Sequence, residues 1–157
     1  AAAHPSASAE SSARLSAHGW LRVHLECGIA LKSSDPNGKS DPYVIVRCGG
    51  VEKRSRVMTC TLDPKWDEVL EFTGQLDDFV CQMLQLRVMD KKDLVRVDLG
   101  MVQVRLEALR TVDTIDCFEA LPRKGSLKFR VQWAPYTTVA PGPPPNCFSS
   151  GLSSEQL

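Results

Sequence analysis

Several things are scarce in this 157-residue chain, and each shortage removes a class of function. Basic and acidic residues balance at 19 each, so no overall field draws the protein toward nucleic acid. No apolar run approaches the roughly 18 residues of a membrane-spanning helix. No basic-then-apolar opening marks a secretory leader, and no Asn-x-Ser/Thr sequon is present. The chain does not open on Met, as expected of a fragment or a processed chain. Histidines number three, His4, His18 and His24, all close to the N-terminus. No nucleophile–base arrangement, paired-carboxylate geometry or phosphate-cradling loop stands out, so we expect a non-catalytic module, whether alone or within a larger enzyme. The six cysteines, Cys27, Cys48, Cys60, Cys81, Cys117 and Cys147, include no Cys-x-x-Cys pair and none at zinc-finger spacing from a His. Cys27, Cys48, Cys81 and Cys117 lie in or beside apolar runs and read as reduced, partly buried residues of a cytoplasmic protein.

What is present is alternation. Residues 1–18 are Ala/Ser-rich and expected to be disordered, and residues 136–157, with Pro141-Gly-Pro-Pro-Pro145, read as a disordered tail or linker. Between them, over residues 19–135, strand signals recur with turns between them. Leu21, Val23 and Leu25 share one face of a strand, with Arg22 and His24 on the other. Similar patterns cover residues 43–47, 51–57, 66–72, 84–89, 101–106, 114–121 and 127–133. Gly49-Gly50 supplies a hairpin turn, and residues 75–80 are the best place for a short helical turn. Eight strands with almost no helical periodicity predict an all-β fold: an eight-stranded antiparallel sandwich with no helix beyond about two turns.

The segment Asp35-Pro-Asn-Gly-Lys-Ser-Asp41 places two carboxylates on one Gly-containing loop just ahead of the strand Tyr43-Val-Ile-Val46. Such a loop suits a hard cation like Ca²⁺, which takes several oxygen ligands on a flexible frame. Asx turns and a strand cap account for the same residues without a metal.

Four segments, in order, resemble one family. Gly38-Lys-Ser-Asp-Pro-Tyr-Val44, Thr61-Leu-Asp-Pro-Lys-Trp-Asp-Glu-Val-Leu-Glu-Phe72, Val88-Met-Asp90 through Asp98-Leu-Gly100, and Gly125-Ser-Leu127 through Trp133 are similar to the first loop and second strand, the Thr-x-Asn-Pro-x-Trp-Asn-Glu-x-Phe-x-Phe segment, the third loop and the last strand of C2 domains. The absence of a strand signal ahead of Trp20 points to the type II permutation. The resemblance implies a Ca²⁺ site between loops at one end of the sandwich. It places Asp35 and Asp41 at the two first-loop positions, Asp90 at the first third-loop position and Asp98 at the last, although the segment to Gly100 is one residue short. The middle position is Lys92, and Asp93 substitutes only if the loop shifts register. Two outcomes stay open: weak Ca²⁺ binding with Lys92 swung into water, or a metal-free loop in which Lys92 is the built-in cation.

The resemblance also implies a peripheral, cytoplasmic role at anionic phospholipid. Leu94, Val95 and Arg96 at the third-loop tip are expected to touch lipid, and Lys53, Arg54 and Arg56 to form a basic patch. The alternative is a Ca²⁺-independent protein-interaction module that uses this basic strand face. A monomeric domain without a nucleic-acid partner is expected.

Overall fold

The computed structural model describes residues 7–33, 38–92 and 94–136. After a helix α1 (Ala7–Ser16), the chain runs through β1 (His18–Ile29), β2 (Pro42–Cys48), β3 (Val51–Arg54), β4 (Lys65–Gln75), a short helix α2 (Leu76–Val80), β5 (Met83–Lys91), β6 (Arg96–Arg105), a 3₁₀ turn (Glu107–Arg110), β7 (Thr114–Ala120) and β8 (Ser126–Pro135). The strands form two four-stranded sheets, ordered β4-β1-β8-β7 and β3-β2-β5-β6, with every neighbour antiparallel. The eight-stranded sandwich read from the sequence is therefore the observed fold, and β8 lies beside β1 as the type II order requires.

Alternation explains the layers. Leu21, Val23 and Leu25 of β1, Trp66, Leu70 and Phe72 of β4, and Leu127, Phe129, Val131 and Trp133 of β8 point inward from one sheet. Val44 and Val46 of β2, Leu84, Leu86 and Val88 of β5, and Leu99 and Val102 of β6 meet them from the other. Each fully buried Leu, Val or Phe contributes roughly 1.5–3 kcal/mol relative to exposure, so the fold rests on this interlayer core.

The connections sort to two poles. At the loop pole lie residues 30–33, 38–41, 55–64, 92, 94–95 and 121–125, tied together by backbone bonds such as Leu31 N–H to the Leu62 carbonyl (2.9 Å) and Thr61 N–H to the Ser40 carbonyl (2.8 Å). The closeness is tightest at Gly125, with φ +93, where a Cβ would sit 2.8 Å from the Ala30 carbonyl oxygen. At the opposite, terminal pole lie α1, α2, the 3₁₀ turn, the β2–β3 turn and the end of β8.

Three local readings differ from the sequence expectation. Residues 7–16 form a helix of 10 residues, where disorder to residue 18 and no helix beyond two turns were expected. The compensation is tertiary: Arg14 donates to the carbonyls of Leu109 (3.0 Å) and Val112 (2.8 Å) and to Asp113 (2.8 Å), while Leu15 and Ala17 pack on the core. The strand expected over 51–57 ends at Arg54. There Ser55 is buried and its hydroxyl accepts the Val44 N–H (2.9 Å), so a side-chain oxygen takes the place of the next ladder carbonyl. Cys81, expected among apolar neighbours, is exposed just after α2, whereas Cys48 and Cys117 are buried and Cys27 is half-buried. Burial pushes both buried thiols up to about 11, with Glu119 and Asp116 adding to the effect at Cys117. The short helical turn expected over 75–80 is α2. Of the tail expected over 136–157, Tyr136 alone is described, its ring edge-on to Trp20 at 4.5 Å.

Candidate functional site

Asp90 is the buried charge of the loop pole. The inward alternation of Leu84, Leu86 and Val88 carries one step further and delivers a carboxylate, 1% exposed, to the end of the core. A buried carboxylate needs donors and a counter-charge. One oxygen accepts the Asp41 N–H at 2.7 Å, and the other lies 3.5 Å from the Lys92 ammonium. Asp41 is held from three sides, since its carboxylate accepts the Cys60 N–H (2.7 Å), its carbonyl accepts the Lys91 N–H (3.0 Å) and its own N–H goes to Asp90. First, second and third loops thus meet at Asp41. Among the described residues the other buried polar ones, Ser40 and Ser55, also pin this pole, Ser40 through the Lys32 carbonyl (3.2 Å).

Asp98 is not brought to this cluster. A bulge between Val88 and Met89 sets Met89 opposite Asp98, so Asp98 follows Met89 onto the outer sheet face. One of its oxygens accepts from Arg87 and the other from the Gly100 N–H (2.8 Å), and Arg123 reaches its carbonyl. Asp35 and Asp93 lie outside the described residues. Among the described residues no three His, Cys, Asp or Glu side chains converge as metal ligands.

Beyond Asp90 the β5–β6 hairpin closes on a turn in which the Lys92 N–H donates to the Val95 carbonyl (3.0 Å). This turn lifts Leu94 and Val95 into water, 97% and 62% exposed. Lys91 and Arg96, the last cross-strand pair, flank them, and both are exposed. With Lys92 they line a shallow depression of about 300 Å³. The apolar tip is thus ringed by cations.

The basic run on β3 is divided by its own geometry. Arg54 pairs with Ile45 and stacks over the Tyr43 ring (5.8 Å) on the outer face. Lys53 pairs with Val46 and lies over Phe72 (5.8 Å) at the open edge between the sheets. The Arg56 guanidinium donates to the Trp66 carbonyl (2.5 Å). Arg47, on the same outer face as Arg54, pairs with Glu52 (3.0 Å). On the outer face of the other sheet several basic side chains meet acidic ones: Arg22 with Glu71 (2.7 Å), His24 with Asp67 (2.6 Å), Arg130 with Asp116 (2.6 Å) and Lys128 with Glu26 (3.7 Å). The hydrogen bond from Arg130 to Asp116 raises the guanidinium pKa further.

Sequence reasoning did not find Arg87, Arg123 or Lys91. The period of two from Leu84 already assigns Asp90 to the inner face and Arg87 to the outer one, and that was the available signal.

The sandwich and its loop pole define a class, and comparison with known proteins agrees. The C2 domain family matches residues 19–121, and the chain belongs to that family. Human extended synaptotagmin-2 is 32% identical over 124 residues, which cover 73% of this chain and 13% of that protein. Human multiple C2 and transmembrane domain-containing protein 1 is 36% identical over 97 residues, 61% of this chain and 10% of that one. The chain thus spans a small part of these relatives. Among solved structures, the calcium-bound C2A and C2B domains of extended synaptotagmin 2 superpose with a TM-score of 0.66 at 30% identity, covering 74% of this chain and 46% of that one. Human GIVD cytosolic phospholipase A2, at 20% identity and a TM-score of 0.67 over 77% of this chain and 17% of that one, shares the fold alone. No described helix is long and apolar enough to cross a membrane.

Proposed function

We propose that this C2 domain is a peripheral membrane-targeting module that lands its loop pole on anionic phospholipid. The observation that carries this reading is the third-loop tip, with Leu94 and Val95 exposed and Lys91 and Arg96 beside them. Two adjacent apolar side chains held in water by a hydrogen-bonded turn lose free energy unless something covers them. An acyl–headgroup boundary covers them and at the same time offers anionic partners to the flanking cations, each worth about 1 kcal/mol near such a surface. Extended synaptotagmin-2, a relative, and multiple C2 and transmembrane domain-containing protein 1, whose name contains a membrane span, accord with a membrane setting. Both ends of the sandwich, the start of β1 and the end of β8, lie at the far pole.

Ca²⁺ assistance would call on Asp41 and Asp90, with Asp35 and Asp93 outside the described residues. Six to eight oxygens at about 2.3–2.6 Å are the requirement. The described carboxylates do not fit it: Asp98 faces Arg87, Asp41 is turned to Cys60 and Asp90 is already beside an ammonium. No docking step is routed through the metal. The basic run is a weaker candidate for a single patch, because Lys53, Arg54 and Arg56 take three different directions.

Vesicle co-sedimentation tests this reading. The chain should pellet with phosphatidylserine-containing vesicles and not with phosphatidylcholine alone. The double substitution Leu94→Ser with Val95→Ser should release it without lowering the melting temperature. Unchanged pelleting of that variant would move the docking surface elsewhere, and no pelleting of the parent chain would favour protein partners.

A further inference from the structure

We infer that Lys92 is the resident cation of the loop pole: it occupies the place a metal would take beside Asp90 and leaves the site unresponsive to Ca²⁺. The inference deepens the membrane reading above, since docking would then run without a calcium trigger.

Position is the first ground. The Lys92 ammonium stands 3.5 Å from the Asp90 carboxylate, whose own exposure is 1%. The Lys92 side chain is 23% exposed, so it is tucked against the pole and not extended into water. A flexible lysine stem reaches water readily, and retention here means the carboxylate holds it. The turn fixes its root: the Lys92 N–H is tied to the Val95 carbonyl and the Lys91 N–H to the Asp41 carbonyl, both at 3.0 Å. The ammonium is therefore presented by a closed hairpin that is itself stitched to the first loop.

The remaining described carboxylates are the second ground. A calcium site needs carboxylates free to turn toward one point. The second Asp90 oxygen is engaged by the Asp41 N–H (2.7 Å), which joins the first loop to the third. One Asp41 oxygen bridges to the second loop through the Cys60 N–H (2.7 Å). Both Asp98 oxygens serve Arg87 and the Gly100 N–H on the outer face. A divalent ion arriving at Asp90 would meet an ammonium 3.5 Å from the same carboxylate, and positive charges so close repel strongly in a partly buried site. The ammonium supplies one charge where Ca²⁺ supplies two, and it supplies it permanently. The loops are thereby held in register at any calcium level, and the electrostatics of docking pass to Lys91 and Arg96 at the tip.

Calorimetry and melting of the full 157-residue chain test this independently of lipid. Titration with CaCl₂ should give no saturable heat, and the melting temperature should be the same in Ca²⁺ and in chelator. Lys92→Asp should melt below the parent in chelator, because it sets a second carboxylate beside the buried Asp90 with no cation between them. Lys92→Met, which keeps the stem and removes the charge, should melt below the parent. Saturable Ca²⁺ binding by the parent chain overturns the inference. So does a Lys92→Asp variant that melts at the parent's temperature, since the ammonium is then not what balances Asp90. Vesicle pelleting separates the two readings: equal pelleting in Ca²⁺ and chelator supports both, and pelleting that requires Ca²⁺ overturns the role given to Lys92. Absence of pelleting in either condition, with calorimetry still silent, removes the membrane reading and leaves the Lys92 assignment standing.

Discussion

The two ends of the sandwich meet the same problem in opposite ways. Each pole must close the core where the strands run out. At the terminal pole, apolar side chains from short helices plug the opening: Leu76, Phe79 and Val80 of α2, Leu109 of the 3₁₀ turn, and Leu15 beside α2. The charge that approaches, Arg14, stays at the surface and caps carbonyls. At the loop pole the arrangement is inverted, with a carboxylate, Asp90, buried against the core while Leu94 and Val95 stand in water. Burying charge and exposing Leu both cost stability. The terminal pole is therefore built for stability, and the loop pole carries the departures from it.

The largest expected effect breaks the terminal pole. Phe79 lies edge-on to Trp133 at 6.0 Å, both buried, and Phe79→Ala should cost about 3–5 kcal/mol, read by chemical denaturation. Vesicle binding measured well below the lowered midpoint should persist, and its loss would show that the poles are coupled.

Next comes the charge around the tip. Reversing both Lys91 and Arg96 to Glu exchanges two attractions for two repulsions, so affinity for phosphatidylserine vesicles should fall by about 2–4 kcal/mol. Added salt should weaken the parent steeply and the variant little. A variant that binds as well as its parent would leave the apolar tip as the sole determinant.

Removal of the α1 clamp should be milder. Arg14→Ala loses three hydrogen bonds, two of them to carbonyls, and should cost about 1–2 kcal/mol. Amide exchange should quicken across α1 and the 3₁₀ turn but not at the loop pole.

A last comparison concerns thiols. Cys60, at the loop pole, and Cys81, at the terminal pole, are exposed and should alkylate readily near neutral pH, while Cys48 and Cys117 resist. Folded Cys48 and Cys117 titrate near 11 against an ordinary value of 9.0. A raised folded value means that their contribution is intact below about 9 and is lost as pH rises toward 11. Denaturation midpoints should decline over that window, and Cys48→Ala with Cys117→Ala should flatten the decline.

Much of the fold was legible because strand alternation is a local signal. The residues at 21, 23 and 25, and again at 84, 86 and 88, announce their buried face without knowledge of any partner. The helix at 7–16 was not legible, because its anchors are Arg14 contacts with residues 95 to 99 positions away. The candidate site was legible in part. Asp41 and Asp90 were found by motif and do meet, through the Asp41 N–H. Asp98 was counted onto the site, but spacing along a loop cannot reveal a bulge, and a bulge turned it to Arg87.

By itself the sequence determined the all-β class, the run of eight strands along the chain, the family and the presence of a lysine where the family's pattern has a carboxylate. These depend on periodicity and motif, which are properties of neighbours in the chain. Tertiary structure alone decided that the Lys92 ammonium turns toward Asp90 and that Lys53, Arg54 and Arg56 part company. Side-chain direction at a loop or a strand edge depends on which distant charge, ring or carbonyl the fold brings within a few ångströms, and no local pattern encodes that distance.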